Sequence, residues 1–208
     1  MKTISKCLTI MATAFGLALA ATHVLAQSIE SSGTGPAAEE TERARAYFTN
    51  LELIDQNGDT VRFFDDVLKD KVVVINFIFT NCDGACPLMT HKLTQVRDLM
   101  EGRIDAPIRF VSLSIDPERD TPAAMRAFAR THDADHPGWM FLTGDPENLE
   151  HIIRKLGQYT DSLETHSTMM LAGNVGAAHW IKIPPQDQAP QIAEKLEYLM
   201  EPDEPDGV

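Results

Sequence analysis

The feature that most constrains this chain is the run Val72-Val73-Val74-Ile75-Asn76-Phe77-Ile78-Phe79, opened by Lys71. A nearly continuous apolar and β-branched stretch is what a strand covered on both faces presents. It marks the centre of a sheet, and the surrounding pattern supplies the cover. Pro87 suits the first turn of a helix, where its missing N–H is not needed, and Met89, Leu93, Val96 and Met100 follow at helical spacing on one face. A second strand, Phe110 to Ile115, leads through Asp116-Pro117 to a helix that Thr121 can cap and Pro122 can start, with Met125 and Phe128 inward. The same grammar recurs at Asp145-Pro146, with Leu149, Ile152, Ile153 and Leu156 in step and Gly157 as a stop.

Two further apolar runs, Thr168 to Leu171 and Ala178 to Ile183, bracket Gly173 and Gly176 as a hairpin. A last helix from Pro190 carries Ile192, Leu196 and Leu199 inward. Ahead of the central strand, Leu51 and Leu53 alternate before Asn57-Gly58, a two-residue hairpin signal, and Val61 to Phe64 form the return strand. Strand, helix, strand, helix, helix, hairpin, helix is an α/β sandwich.

The ends read differently. Lys2 and Lys6, the apolar stretch Cys7 to Ala20 and the small residues up to Ala26 predict a secretory signal over 1–26, cleaved before Gln27. The apolar stretch is short for a spanning helix, so an uncleaved anchor is the lesser reading. Residues 27–46, rich in Ser, Gly, Ala and Glu, are expected to be a flexible linker, and 201–208 an acidic tail. The domain is then 47–200. Formal net charge is −13 and grows more negative if Lys2 and Lys6 leave with the signal, which argues against nucleic acid and anionic membrane as partners.

Export leaves two cysteines, Cys82 and Cys86, on the turn Thr80-Asn81-Cys82-Asp83-Gly84-Ala85-Cys86-Pro87. A bridge across three residues closes too small a loop to staple a domain, so the spacing favours chemistry. At a helix start the field favours thiolate, which is both the nucleophile of disulfide exchange and a soft metal ligand. The motif alone permits either. Two thiolates are too few for a closed structural zinc site, so a third ligand is sought among the histidines. His132 and His136 lie in a polar loop, His151 beside the apolar stripe of its helix, His91 on the outside of the cysteine helix and His179 in a strand beside Trp180. His166 stands at the entry to a strand after a polar loop, in Glu164-Thr165-His166-Ser167.

These residues carry a resemblance. Asn76-Phe77-Ile78-Phe79-Thr80-Asn81-Cys82 with Cys86-Pro87, Val111-Ser112-Leu113-Ser114-Ile115-Asp116-Pro117 with Asp120-Thr121-Pro122, Trp139 with Leu142-Thr143-Gly144, and His166-Ser167 occur in order. The chain resembles the Sco/SenC family of copper chaperones for cytochrome oxidase over nearly its whole mature length. The resemblance implies a thioredoxin-like fold, a central mixed sheet flanked by helices with an N-terminal β-hairpin. It implies that Cys82, Cys86 and His166 bind copper, Cu(I) and also Cu(II), and that Cys82 and Cys86 form a disulfide when oxidised. It further implies, as partners, an apo copper-site protein such as a cytochrome oxidase subunit and a periplasmic thiol reductant. An exported, periplasmic location follows, with no strong membrane binding once the signal is cleaved. Asp116 matches a family position near the site and is read as capping the turn before Pro117. Two positions depart from the family pattern: Thr165 stands where an acid usually precedes the histidine, and Ala172-Gly173-Asn174-Val175-Gly176 replaces an Asp-containing turn. The competing function is an enzyme, a periplasmic thiol–disulfide oxidoreductase using the same two sulfurs, for which His166 is dispensable. A peroxidase fits less well, because no arginine accompanies the cysteine turn.

Overall fold

A computed structural model describes residues 36–102, 108–163 and 166–201. The signal 1–26, the first part of the expected linker, Thr165 and nearly all of the acidic tail lie outside the described residues. Seven strands form one mixed sheet in the order β2-β1-β5-β4-β3-β6-β7. They are β1 (Glu52–Asp55), β2 (Thr60–Arg62), β3 (Val72–Ile78), β4 (Ile108–Ser114), β5 (Trp139–Thr143), β6 (Met170–Asn174) and β7 (His179–Ile183). The apolar run is the strand β3, buried at every position, parallel to β4 and antiparallel to β6. Its alternation divides the core. Val72, Val74 and Ile78 face one cluster, with Leu93 and Val96 of α2 (Ala85–Leu99), Met125 and Phe128 of α3 (Pro122–Thr131) and Ile192 and Leu196 of α5 (Ala189–Met200). Val73, Ile75 and Phe77 face the other, with Phe63 and Phe64, Leu149 and Ile152 of α4 (Pro146–Lys155), and Phe48 closing α1 (Pro36–Phe48).

The helix starts follow the capping chemistry. Thr121 accepts from Ala124 N at 3.2 Å, and Asp145 accepts from Glu147 N and Asn148 N, each just ahead of a proline in the first turn.

Four expectations are corrected. Residues 36–46, read as linker, belong to the helix α1, which gains its hold from tertiary contacts: Phe48 packs on Trp180 at 4.8 Å and Arg45 pairs with Asp65 at 3.0 Å. The turn of the first hairpin is longer than two residues, because Asp55 N donates to Asp59 O and encloses Gln56, Asn57 and Gly58. Gln56 is buried there and bridges to β5, donating to Trp139 O at 3.0 Å and accepting from Phe141 N at 2.9 Å. Extended structure stops at Arg62, and Phe63–Leu68 form a π-helical segment. A strand would turn adjacent Phe63 and Phe64 to opposite faces, whereas here both enter one core cluster. Finally, Trp139–Thr143, read only as a family match, is the strand β5 between β4 and β1.

Candidate metal and thiol site

The site lies where β3 ends and α2 begins. Cys82 N donates to Phe79 O, and the chain turns so that α2 opens at Ala85, placing Pro87 in its first turn where its absent N–H is not missed. Helix start and cysteine pair are thus one structure. The sulfur of Cys82, half-buried, accepts the N–H of Cys86 at 3.4 Å; Cys86 itself is buried, and both cysteines are free thiols.

The two thiols differ chemically. Desolvation opposes ionisation of Cys82, yet the N–H groups of Cys86, Gly84 and Ala85 outweigh it and hold its thiol below the ordinary value. Desolvation dominates at Cys86, where the neighbouring Cys82 and the carboxylate of Asp120 add to it, and its thiol is pushed up to about 12. The expectation of a helix-start field lowering both thiols therefore holds for Cys82 alone.

His166 is brought to this turn from the loop ahead of β6. Its Nε2 lies 3.9 Å from Cys86 Sγ, its Nδ1 is 2.7 Å from Leu163 O, and its ring meets Phe79 edge-on at 5.4 Å. A carbonyl only accepts, so Nδ1 donates to Leu163 O, and Nε2 is the nitrogen that faces the sulfur. Among the described residues, no three or more His, Cys, Asp and Glu side chains converge as a ready-made metal cage. The arrangement is instead an open one, and its donors fit a soft ion. The 3.9 Å between His166 Nε2 and Cys86 Sγ would let both reach one ion, and sulfur and imidazole donors suit a soft one.

Among the described residues, the other histidines stay away from the sulfurs. His91 is exposed beside Gln95, His151 is exposed, His132 packs on Phe128, His136 accepts the N–H of Gly138, and His179 meets Tyr198 edge-on. Asp116 does local work, but on the turn that follows it and not before Pro117: its carbonyl accepts from Arg119 N and Asp120 N, and its carboxylate pairs with Arg119 at 2.5 Å.

Sequence reasoning gave no role to Asp120. It is fully buried and ties the cysteine turn to β4: one oxygen accepts from Thr80 N at 2.9 Å and Thr80 Oγ1 at 2.6 Å, the other from Ser114 Oγ at 2.6 Å. A buried carboxylate with three donors is well compensated. The available signal was its place in the Asp120-Thr121-Pro122 stretch that carries the resemblance, directly before a helix cap.

A protein-family model described as SCO1/SenC matches residues 39–201. Among curated proteins, a SCO2-like protein of Rickettsia conorii is 36% identical over 107 residues, which is 51% of this chain and 49% of that protein. The chain spans about half the length of the curated relatives it matches. Among solved structures, a SCO1/SenC family lipoprotein from Bacillus anthracis str. Ames superposes with a TM-score of 0.64 at 26% identity, covering 74% of this chain and 94% of that one. Bradyrhizobium japonicum ScoI, solved with copper bound, gives 0.60 at 26% identity, covering 72% and 96%. These likenesses support the thioredoxin-like reading of the mixed sheet, and the family model runs from α1 through the cysteine turn and His166 to the end of α5: the chain belongs to the SCO1/SenC family.

Proposed function

We propose that this protein is an exported, periplasmic copper carrier, in which Cys82, Cys86 and His166 hold one copper ion as cargo and pass it to an apo copper site of a respiratory oxidase. The observation that carries the reading is the 3.9 Å approach of His166 Nε2 to Cys86 Sγ, with the ring aimed by Leu163 O. Metal-binding histidines are commonly oriented in this way through their other nitrogen. Two thiolates suit Cu(I), and the added imidazole lets the same site accept Cu(II). The likeness to a ScoI solved with copper bound supports copper as the ion. Ligation by Cys86 displaces a proton held up to about 12, so copper uptake releases protons and tightens with rising pH.

The test is a Cu(I) titration of the reduced protein against a chromophoric chelator, beside Cys82→Ser, Cys86→Ser and His166→Ala. One tight ion per chain, weakened by each substitution, is the expected result. Weak binding, or binding indifferent to His166→Ala, overturns the three-ligand site.

The unequal thiols favour a second reading, thiol–disulfide exchange. The Cys82 thiolate attacks a target disulfide, forming a mixed disulfide and expelling one target thiolate. Cys86, giving its proton to the target thiolate already released, then displaces the second target thiolate and leaves a Cys82–Cys86 disulfide, so the target gains two electrons and this chain loses them. A periplasmic dithiol reductant restores the pair. Reductase activity surviving His166→Ala while copper binding fails would show that the two roles separate.

A further inference from the structure

The edge of the sheet far from the cysteine turn carries a second built feature. Gly173 of β6 faces Trp180 of β7 across the ladder, and a Cβ at 173 would lie 2.3 Å from Trp180 Cδ2. The indole therefore occupies the space that the missing side chain leaves, which gives a physical reason for glycine at one of the positions departing from the family pattern. Phe48 rests on that indole. Between α1, the end of α4 and this hairpin runs a groove of about 620 Å³. Its floor is Phe48, Leu156, Leu171 and Val175, each still 7–8% exposed, with half-buried Trp180. Val175 N donates to Lys71 O at the start of β3, whereas the cysteine turn follows the end of that strand.

The rim reverses the charge of the molecule. The chain has 31 acids against 18 bases, yet Arg43, Lys155 and Lys182 line this groove with Glu40 as the one acid. All three bases are exposed, and among the described residues none is paired with a carboxylate: Arg43 Nε donates to Glu39 O, and the Lys155 ammonium sits over the Tyr47 ring at 5.6 Å. The volume is within the range of small-molecule sites, which are mostly apolar with a few orienting polar groups.

We propose that this groove binds a single-chain anionic amphiphile, an alkyl carboxylate of the fatty-acid type. Its chain lies on the Trp180 floor, and its carboxylate sits among Arg43, Lys155 and Lys182. The sign of the rim selects the head, and the apolar floor supplies the bulk of the affinity.

The experiment titrates the purified full chain with dodecanoate below its aggregation limit, and with dodecyltrimethylammonium, which has the same tail and the opposite head. Calorimetry gives stoichiometry and tryptophan emission reports on Trp180, the other tryptophan, Trp139, being buried in the opposite core cluster. Expected is saturable binding of one dodecanoate per chain, roughly tenfold or more tighter than the cationic analogue. A Lys155→Glu/Lys182→Glu double variant should lose roughly tenfold, and added salt should weaken dodecanoate binding to the unaltered protein. Equal affinity for the two heads, absence of saturable binding, or affinity indifferent to both charge reversal and salt overturns the proposal.

Discussion

The cysteine turn and the histidine loop build one site by opposite means. The turn is the direct continuation of a strand buried on both faces, and Asp120 ties it across 40 residues of sequence to Thr80 and on to Ser114 of β4. Along the histidine loop, three hydrogen bonds run over two or three residues: Ser162 N to Thr160 Oγ1, His166 Nδ1 to Leu163 O, Met169 N to Ser167 Oγ. One half of the site is anchored in the core by a buried carboxylate, and the other combines short-range hydrogen bonds with the edge of Phe79 and the approach of His166 to Cys86. In the proposed carrier role, this division would let thiols held in a fixed place be engaged or freed by a ligand from a separate loop.

If that contrast is real, stability should respond at Asp120 and hardly at all at His166. Asp120→Ala strands Thr80 N–H and two hydroxyls and should cost about 3–5 kcal/mol in urea unfolding, against less than about 0.5 kcal/mol for His166→Ala. Comparable losses at both would break the comparison. Copper affinity should rank differently: loss of either sulfur is expected to weaken Cu(I) binding by more than about 100-fold, and loss of His166 by about 10- to 100-fold, read by chelator competition.

The thiols sharpen the contrast within the turn itself. Folded Cys86 keeps its proton up to about 12, whereas in the unfolded chain it leaves near 9.0. Stability from this group is therefore whole below 9.0 and is lost as pH rises toward 12. Between about pH 8 and about pH 10 the unfolding free energy should fall further for the unaltered protein than for Cys86→Ser, by about 1 kcal/mol; an equal fall refutes the buried-thiol account. The last effect is kinetic. Iodoacetamide should label Cys82 roughly tenfold faster than Cys86 near neutral pH, as followed by peptide mass, because thiolate and access both favour it.

What was legible in the sequence was the chemistry that acts over short range. Caps at Thr121 and Asp145, prolines in first turns, the inward stripe of α2 and the buried run of β3 all appear where residue order placed them. Short or context-dependent elements were not. The five residues of β5 lack a period to read, α1 has a weak apolar stripe and is held by Trp180 and Asp65, and the π-helical segment exists because two consecutive phenylalanines enter one cluster. Within the site, the cysteine pair stood out by type and spacing and His166 by its place before a strand and the family resemblance, whereas Asp120 stood in a matching stretch with no role until its three donors were in view.

Local sequence by itself determined the α/β order and the meeting of two thiols with a helix start, because backbone propensity and capping depend on neighbours a few residues away. Only the tertiary structure decided which thiol is buried, that His166 reaches Cys86 across 80 residues, and that Gly173 makes room for Trp180. Burial, desolvation and long-range approach are properties of the packed chain, and they arise only when distant segments share one core.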